Sequence, residues 1–169
     1  MSIQIRPEQP DDIPQIHELT VAAFRTAPHS DHNEQFIIEA LRSASALSIS
    51  LVAEDKSRLV GHVAVSPVEI TNGAGEWFGL GPVSVSPERQ SSGIGSALMV
   101  AAIETLKQMG ANGCVVLGDP GFYQRFGFAP KDGLILPGVP AAYFQALVFK
   151  GNAPEGKVSY HEAFLPTRG

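Results

Sequence analysis

A strand-like segment that leads through a short Ser/Gly loop into a long helix constrains this chain more than any other feature. Residues 80–98 read LGPVSVSPERQSSGIGSAL, and the helical pattern begins at about Gly93. The first N–H groups of a helix lack intrahelical acceptors and lie at the positive end of its dipole, so this turn favours a phosphate or pyrophosphate. Gly93 and Gly95 let the backbone approach an anion closely, because neither carries a Cβ. Hydroxyl donors stand beside them at Ser91, Ser92 and Ser96.

The order of the predicted elements indicates a mixed α+β fold. Alternating apolar residues predict three successive strands at 48–54, 59–70 and 77–85, with a hairpin signal at 72–75. The other predicted strands are 2–6, 113–117 and 144–149. The first predicted helix opens at 10–12 and ends before a break at 26–30, and the others span 33–43 and 93–109. On the long helix, the predicted buried side consists of Leu98, Ala102, Leu106 and Met109. We therefore expect a central mixed, mostly antiparallel sheet flanked by helices.

A dinucleotide site is one alternative for the Ser/Gly loop. The Rossmann pattern is G-x-G-x-x-G, but Leu98 occupies its third glycine position. An acid about 20 residues further on is also typical of that site, and Asp119 follows the next predicted strand. A doubly wound sheet would alternate strands with helices, so the three successive strands weaken this alternative independently of Leu98. An ATP-type phosphate loop is excluded because no lysine follows the glycines.

Two short segments of the chain carry a family resemblance. Residues 90–95 read Gln-Ser-Ser-Gly-Ile-Gly, and residues 118–128 read Gly-Asp-Pro-Gly-Phe-Tyr-Gln-Arg-Phe-Gly-Phe. The first matches in full the pattern Q/R-x-x-G-x-G/A of the GNAT N-acetyltransferase superfamily. The second resembles the segment of that superfamily in which a short helix ends in Phe-Tyr-x-x-x-Gly-Phe, with Tyr123 four residues before Gly127. The run Gly-Asp-Pro-Gly-Phe-Tyr is similar to the YhbS-like branch of the superfamily.

The resemblance covers roughly residues 1–150 and implies the acyl-CoA N-acyltransferase fold, with acetyl-CoA as cosubstrate and no metal. It implies that backbone groups of Val83–Val85 pair with the pantetheine as an added strand, and that an N–H near Val85 stabilises the oxyanion. It also implies that Tyr123 protonates the CoA thiolate, since the ordinary pKa of a phenol, about 10, is close to that of a thiol, about 8.5. The predicted cofactor-binding residues are Val83, Ser84, Val85, Gln90, Ser91, Ser92, Gly93, Ile94, Gly95 and Ser96.

The sequence leaves the general base open. Relatives often place a Glu on the strand before the pyrophosphate loop, but residues 77–85 contain no acid and no histidine. Neighbouring candidates are His62, Glu69 and Glu76, and a chain of water molecules could serve equally well. A solvated or packing role is the more frequent one for each of these three side chains.

Composition limits the partners. The 169 residues are 44% hydrophobic and 17% charged, with a formal net charge of −5, as expected for one folded domain. We expect a single domain over 1–169, with a core at about 1–150 and a C-terminal arm at 151–169. The absence of a basic cluster argues against nucleic acid and anionic membranes. Without an apolar leader or a disulfide framework, the chain is predicted to be cytoplasmic, with Cys114 a buried inert thiol.

A metal site is a minor alternative. His29 and His32 have the spacing of two ligands, but no third or fourth ligand is evident. The resemblance favours a different role for this loop, because the connection between the first two helices commonly overhangs the acceptor site in the superfamily.

The sequence therefore predicts an N-acetyltransferase that moves an acetyl group from acetyl-CoA to a primary amine by direct transfer in a ternary complex. The acceptor would be a small-molecule or peptide amine, and a homodimer is common in the superfamily. Two other functions stay open. One is a non-catalytic acyl-CoA-binding or sensing domain, favoured by the missing acidic base. The other, less favoured, is a nicotinamide-dependent oxidoreductase.

Overall fold

The fold is built from eight strands and four α-helices within the described residues. The structure is a computed structural model that describes residues 3–27, 30–71 and 75–165. The strands are β1 (Ile3–Pro7), β2 (Ile49–Asp55), β3 (Arg58–Ile70), β4 (Trp77–Val85), β5 (Gly113–Leu117), β6 (Leu134–Ile135), β7 (Phe144–Val148) and β8 (Gly156–Tyr160). The helices are α1 (Ile13–Phe24), α2 (Glu34–Ser43), α3 (Ile94–Gln108) and α4 (Pro120–Tyr123).

The main sheet is mixed and mostly antiparallel. Its order is β1-β2-β3-β4-β5-β7, and every neighbouring pair along this path is antiparallel except β4 and β5. The C-terminal half of β3 also pairs with β8, which in turn pairs with β6. This is not the parallel, doubly wound sheet that the nicotinamide alternative requires.

Strands β4 and β5 pair only at one end and then separate. Their parallel register covers Trp77↔Gly113, Phe78↔Cys114 and Gly79↔Val115. The last two residues of β5 continue to pair with β7, through Val116↔Gln145 and Leu117↔Phe144. Beyond Gly79, strand β4 keeps β3 as its partner, so its other edge is open.

Helices cover both faces of the sheet. The face toward α3 buries the largest apolar cluster, which joins Val63 and Val65 of β3 to Leu98 and Met99 of α3. The face toward α1 and α2 buries a second cluster, in which Ile16 and Ile38 pack on Val52 and Ala64. Strand β5 is buried on both faces from Gly113 to Val116, as its nearly all-apolar sequence predicts.

Most predicted elements are confirmed, with one correction. Met109 is 45% exposed, whereas Leu98, Ala102 and Leu106 are fully buried, because α3 ends at Gln108 and Met109 lies in the turn that follows it. The prediction for Met109 was therefore wrong. The C-terminal arm contributes β8, which pairs with β3. The predicted hairpin turn falls largely on 72–74, which lie outside the described residues.

We expect Leu106→Ala and Met109→Ala to differ sharply in their effects on the free energy of unfolding. Leu106 is fully buried, so its truncation leaves a cavity and should lower the free energy of unfolding by about 2–5 kcal/mol. The exposed Met109 should change it by less than about 0.5 kcal/mol. Urea unfolding of the two variants measures both effects, and equal losses would show that the exposed face of α3 is misassigned.

Candidate active site

The open edge of β4 presents backbone hydrogen-bonding groups. The N–H of Ser86 donates to the C=O of Val60 at 2.9 Å, and the register continues through Ser84↔His62. Hydrogen-bonded pairs alternate along an antiparallel ladder. The N–H and C=O groups of Val83 and Val85 therefore point away from β3, toward the gap between β4 and β5.

The Ser/Gly loop exposes the N-terminus of α3. Ser91 and Gly93 both have left-handed backbone conformations, with φ of 65° and 91°. Within α3, the N–H of Ala97 donates to the C=O of Gly93 at 3.0 Å. The N–H groups of residues 94–96 precede this bond and point out of the helix end, where they can receive an anion.

One groove joins the open strand edge to this loop. Its volume is about 570 Å³, and it runs along the α3 face of the sheet. It is lined by Val83, Val85, Gln90, Ser91, Gly93, Gly95, Ser96, Phe122, Tyr123 and Arg125. The Gln90 amide donates to the Val85 carbonyl at 3.2 Å. The two segments singled out in the sequence thus form one continuous surface.

Three of the predicted residues do not line the groove. Ser84 is buried with its side chain on the opposite face of the sheet from Val83 and Val85, because side chains alternate along a strand. Ile94 is buried in the core beneath α3, and only its N–H faces the helix end. The hydroxyl of Ser92 donates to the backbone carbonyl of Arg89, which ties the loop to the turn before it.

Arg125 is a groove residue that the sequence analysis missed. Its Nη2 donates to the Ser96 hydroxyl at 3.1 Å, and its guanidinium lies 4.8 Å from the centre of the Phe122 ring. A guanidinium held beside a helix N-terminus suits a phosphate. A signal was present, since Arg125 is the one cation between 114 and 128, but the direction of its side chain depends on the short helix before it.

Tyr123 stands at the end of α4 and faces the groove. The Asp119 carboxylate begins this helix by accepting from the Gly121 N–H at 2.9 Å and so acts as a helix cap. The Tyr123 ring packs edge-on against Phe122 at 5.1 Å and Phe128 at 6.1 Å. Burial, and then the nearby Asp119 charge, raise the pKa of Tyr123, so the phenol keeps its proton at neutral pH.

A second cavity meets the groove at Val83 and Tyr123. Its volume is about 400 Å³, and it lies on the face of the sheet that α1 and α2 cover. It is lined by Phe24, Glu34, Ile37, Leu80, Gly81, Pro82, Val83, Leu117, Tyr123, Tyr160 and Phe164. Tyr160 reaches it from β8 by packing on Gly79, where a Cβ would lie 2.5 Å from the Tyr160 Cε1. The Tyr123 phenol thus borders both spaces.

None of the three candidate bases lines either space. Glu69 lies on the part of β3 that pairs with β8, and Glu76 is exposed before β4. His62 is fully buried on the α1 and α2 face, where its Nε2 lies 2.8 Å from the Ser50 hydroxyl. That hydroxyl donates to Glu8, which also accepts from Arg42 at 2.8 Å. These residues form a partly buried polar network, in which His62 is the buried end. Burial lowers the pKa of His62 to about 4.

Two further absences apply to the described residues. Within 3–27, 30–71 and 75–165, no three His, Cys, Asp or Glu side chains come together as metal ligands, and His29 of the considered pair lies outside these ranges. Over the same part of the chain, no helix is both long enough and apolar enough to cross a bilayer.

A splayed mixed sheet with an open β4 edge beside a helix N-terminus is the arrangement of acyl-CoA N-acyltransferases. Residues 4–130 match the family model described as an acetyltransferase (GNAT) domain. The chain belongs to the GNAT acetyltransferase family.

Its relatives include proteins of known structure. The N-acetyltransferase YhbS of Escherichia coli is 32% identical over 95% of this chain and 97% of its own length. A GNAT family acetyltransferase from Brucella melitensis, solved in complex with acetyl-CoA, is 46% identical, with a TM-score of 0.86 over 96% of this chain and 98% of that one. The structure of YhbS in complex with CoA has a TM-score of 0.85 over 96% of this chain and 91% of that one.

We expect His62 to make the protein less stable in mild acid. The unfolded chain takes up a proton near the ordinary pKa of 6.5, whereas folded His62 resists it down to about 4. The contribution of His62 to the free energy of unfolding is therefore fully present above about pH 6.5. It should fall by about 2 kcal/mol between pH 7 and pH 5. Urea unfolding of the wild type and His62→Gln at both pH values measures the difference, since the variant lacks this titration. Equal pH dependence in the two proteins would contradict a buried neutral His62.

Proposed function

We propose that this protein transfers an acetyl group from acetyl-CoA to a primary amine by direct transfer in a ternary complex. The observation that carries the proposal is the position of Tyr123, whose side chain borders both the groove and the second cavity. One space suits an extended ligand with a phosphate end, and the other suits a small acceptor. The relatives solved with acetyl-CoA and with CoA support acetyl-CoA as the cosubstrate.

Acetyl-CoA would lie along the groove. Its pantetheine pairs with the open backbone groups of Val83 and Val85 as an added strand. Its pyrophosphate rests on the loop at 90–96, with the N–H groups of α3 and the Arg125 guanidinium as donors. Phe122 and the Arg125 stem form the opposite wall.

The chemistry needs a neutral amine and a proton for the thiolate. The amine nitrogen attacks the thioester carbonyl carbon, a C–N bond forms, and the carbonyl oxygen becomes an oxyanion near the Val85 N–H. The C–S bond then breaks, and Tyr123 gives its proton to the departing sulfur. The cationic amide nitrogen releases a proton, which restores the phenol. The products are the acetylated amine and CoA.

A non-catalytic acyl-CoA-binding domain is the second candidate. It is favoured by one observation, that none of His62, Glu69 and Glu76 lines the groove or the second cavity. Turnover separates the two functions, because a sensing domain would bind acetyl-CoA without releasing free thiol in the presence of amines. A homodimer and a cytoplasmic location remain predictions.

Ligand-induced stabilisation tests the cosubstrate. Acetyl-CoA and CoA should raise the melting temperature, because a ligand that binds only the folded state stabilises it. NAD at equal concentration serves as the control and should cause no shift. A shift with NAD and none with CoA would contradict the proposal, and thiol release across an amine panel then tests catalysis.

Gly95 offers a matched pair of variants for the groove. An added Cβ would lie 3.7 Å from Val85 and 3.9 Å from Phe122, in ordinary contact. Gly95→Ala should therefore keep CoA binding and stabilise α3 by up to about 1 kcal/mol. Gly95→Leu fills the space between these two side chains and should weaken CoA binding by at least about tenfold. Calorimetric titration with CoA measures both, and unchanged affinity in a folded Gly95→Leu protein would place the cosubstrate elsewhere.

Tyr123→Phe should separate binding from chemistry. The ring and its packing are retained, so the affinity for acetyl-CoA and the melting temperature should change little. Loss of the general acid should lower kcat by roughly 10²–10⁴-fold. An acyl donor with a more acidic thiol should recover part of this loss. Normal turnover in the variant would remove Tyr123 from the mechanism.

A further inference from the structure

The second cavity has the walls of a site for an apolar ligand. Phe24 of α1, Ile37 of α2, Leu80 of β4 and the rings of Tyr160 and Phe164 line it. Leu117 stands at its edge and is 47% exposed. Its volume of about 400 Å³ is near the lower end of the range for small-molecule sites. The walls therefore favour a compact apolar or aromatic body.

One charged side chain reaches into this apolar space. Glu34 begins α2 and lines the cavity, and it is half-buried. The Ser30 hydroxyl lies 2.8 Å from its Oε1 and 2.7 Å from its Oε2, which fixes the direction of the carboxylate. Among the described residues that line the cavity, none is Lys, Arg or His.

This combination favours a cation and disfavours an anion. A carboxylate with apolar surroundings gains from a charge-assisted hydrogen bond to an ammonium group. The faces of the surrounding aromatic rings also attract a cation. A carboxylate on the ligand would meet Glu34 without a compensating cation among the described lining residues.

We propose that the acceptor is a small primary amine on an apolar or aromatic body, without a carboxylate, and that Glu34 binds its ammonium group and takes its proton. The inference rests on the proposed acetyl transfer. An ammonium proton passes to the Glu34 carboxylate and then to water, which leaves the neutral amine beside Tyr123. The nitrogen that attacks the thioester thus arrives without its extra proton, and Glu34 returns to the carboxylate form. Glu34 supplies the base that His62, Glu69 and Glu76 do not.

Three matched ligands test the specificity. 2-Phenylethylamine carries the proposed groups, L-phenylalanine adds a carboxylate, and 2-phenylethanol replaces the amine by a hydroxyl. Calorimetric titrations use the CoA-loaded wild type, Glu34→Gln and, as control, Glu39→Gln. Glu39 lies on the same helix, pairs with His17 at 2.5 Å and does not line the cavity. Gln at position 34 keeps an acceptor oxygen for Ser30.

We expect the wild type to bind 2-phenylethylamine at least tenfold more tightly than either analogue. Glu34→Gln should lose about tenfold or more of that affinity, as for removal of one charge-assisted hydrogen bond, whereas Glu39→Gln should match the wild type. With acetyl-CoA, Glu34→Gln should also shift the pH dependence of kcat/KM for the amine.

Each contrary result is distinguishable. A wild type that binds CoA but not 2-phenylethylamine, or that binds L-phenylalanine equally well, overturns the acceptor assignment alone. Unchanged amine affinity in Glu34→Gln overturns the role of Glu34. Tighter binding of an N-acetylated, amidated lysyl peptide than of the small amine overturns the size assignment. A wild type that does not bind CoA overturns the proposed acetyl transfer itself.

Discussion

The short parallel contact between β4 and β5 determines the geometry of the candidate active site. Three residue pairs join the strands, and then β5 follows β7 while β4 follows β3. Tyr160 of β8 packs on Gly79 where the parallel pairing ends. The separation leaves Val83 and Val85 without a partner strand on one side. A sheet that paired to its end would satisfy the backbone groups of these residues internally and would close both the groove and the second cavity.

A partly buried polar network ties α2 to the sheet. Arg42 of α2 bonds to Glu8 just after β1, and Glu8 is linked through Ser50 of β2 to His62 of β3. Burial raises the pKa of Glu8, but the hydrogen bonds from Arg42 and Ser50 outweigh it and hold the pKa below its ordinary value. The network therefore anchors α2 to three elements of the sheet layer. Since Glu34 begins the same helix, this anchoring also limits its position relative to Tyr123.

The sequence predicted the strands, the long helices and the groove residues because those signals are local. Periodicity identifies β2, β3, β4 and α3, and the motif at 90–95 identifies the helix N-terminus. The prediction for Met109 was wrong because a helical pattern does not reveal the residue at which the helix gives way to a turn. Ser84 was included because the resemblance implies that backbone groups of Val83–Val85 pair with the pantetheine. The alternation of hydrogen bonds along β4 instead directs the backbone groups of Ser84 toward β3.

The second cavity could not be predicted because its wall comes from distant segments. Phe24, Glu34 and Tyr160 belong to α1, α2 and β8, and only tertiary packing brings them together. The pairing of β8 with three residues of β3 had no local signal, because the partner strand lies about 90 residues earlier in the chain. Glu34 likewise reads as an ordinary acidic residue in the first turn of an amphipathic helix.

A sheet usually separates the two layers of a protein completely, but here the gap between β4 and β5 connects them. The groove lies on the α3 side and the second cavity on the α1 and α2 side, and they share Val83 and Tyr123. Two ligands that approach from opposite faces of the sheet enter through separate openings and meet only at Val83 and Tyr123. Neither ligand has to leave for the other to enter or dissociate, so exchange through one opening does not block the other.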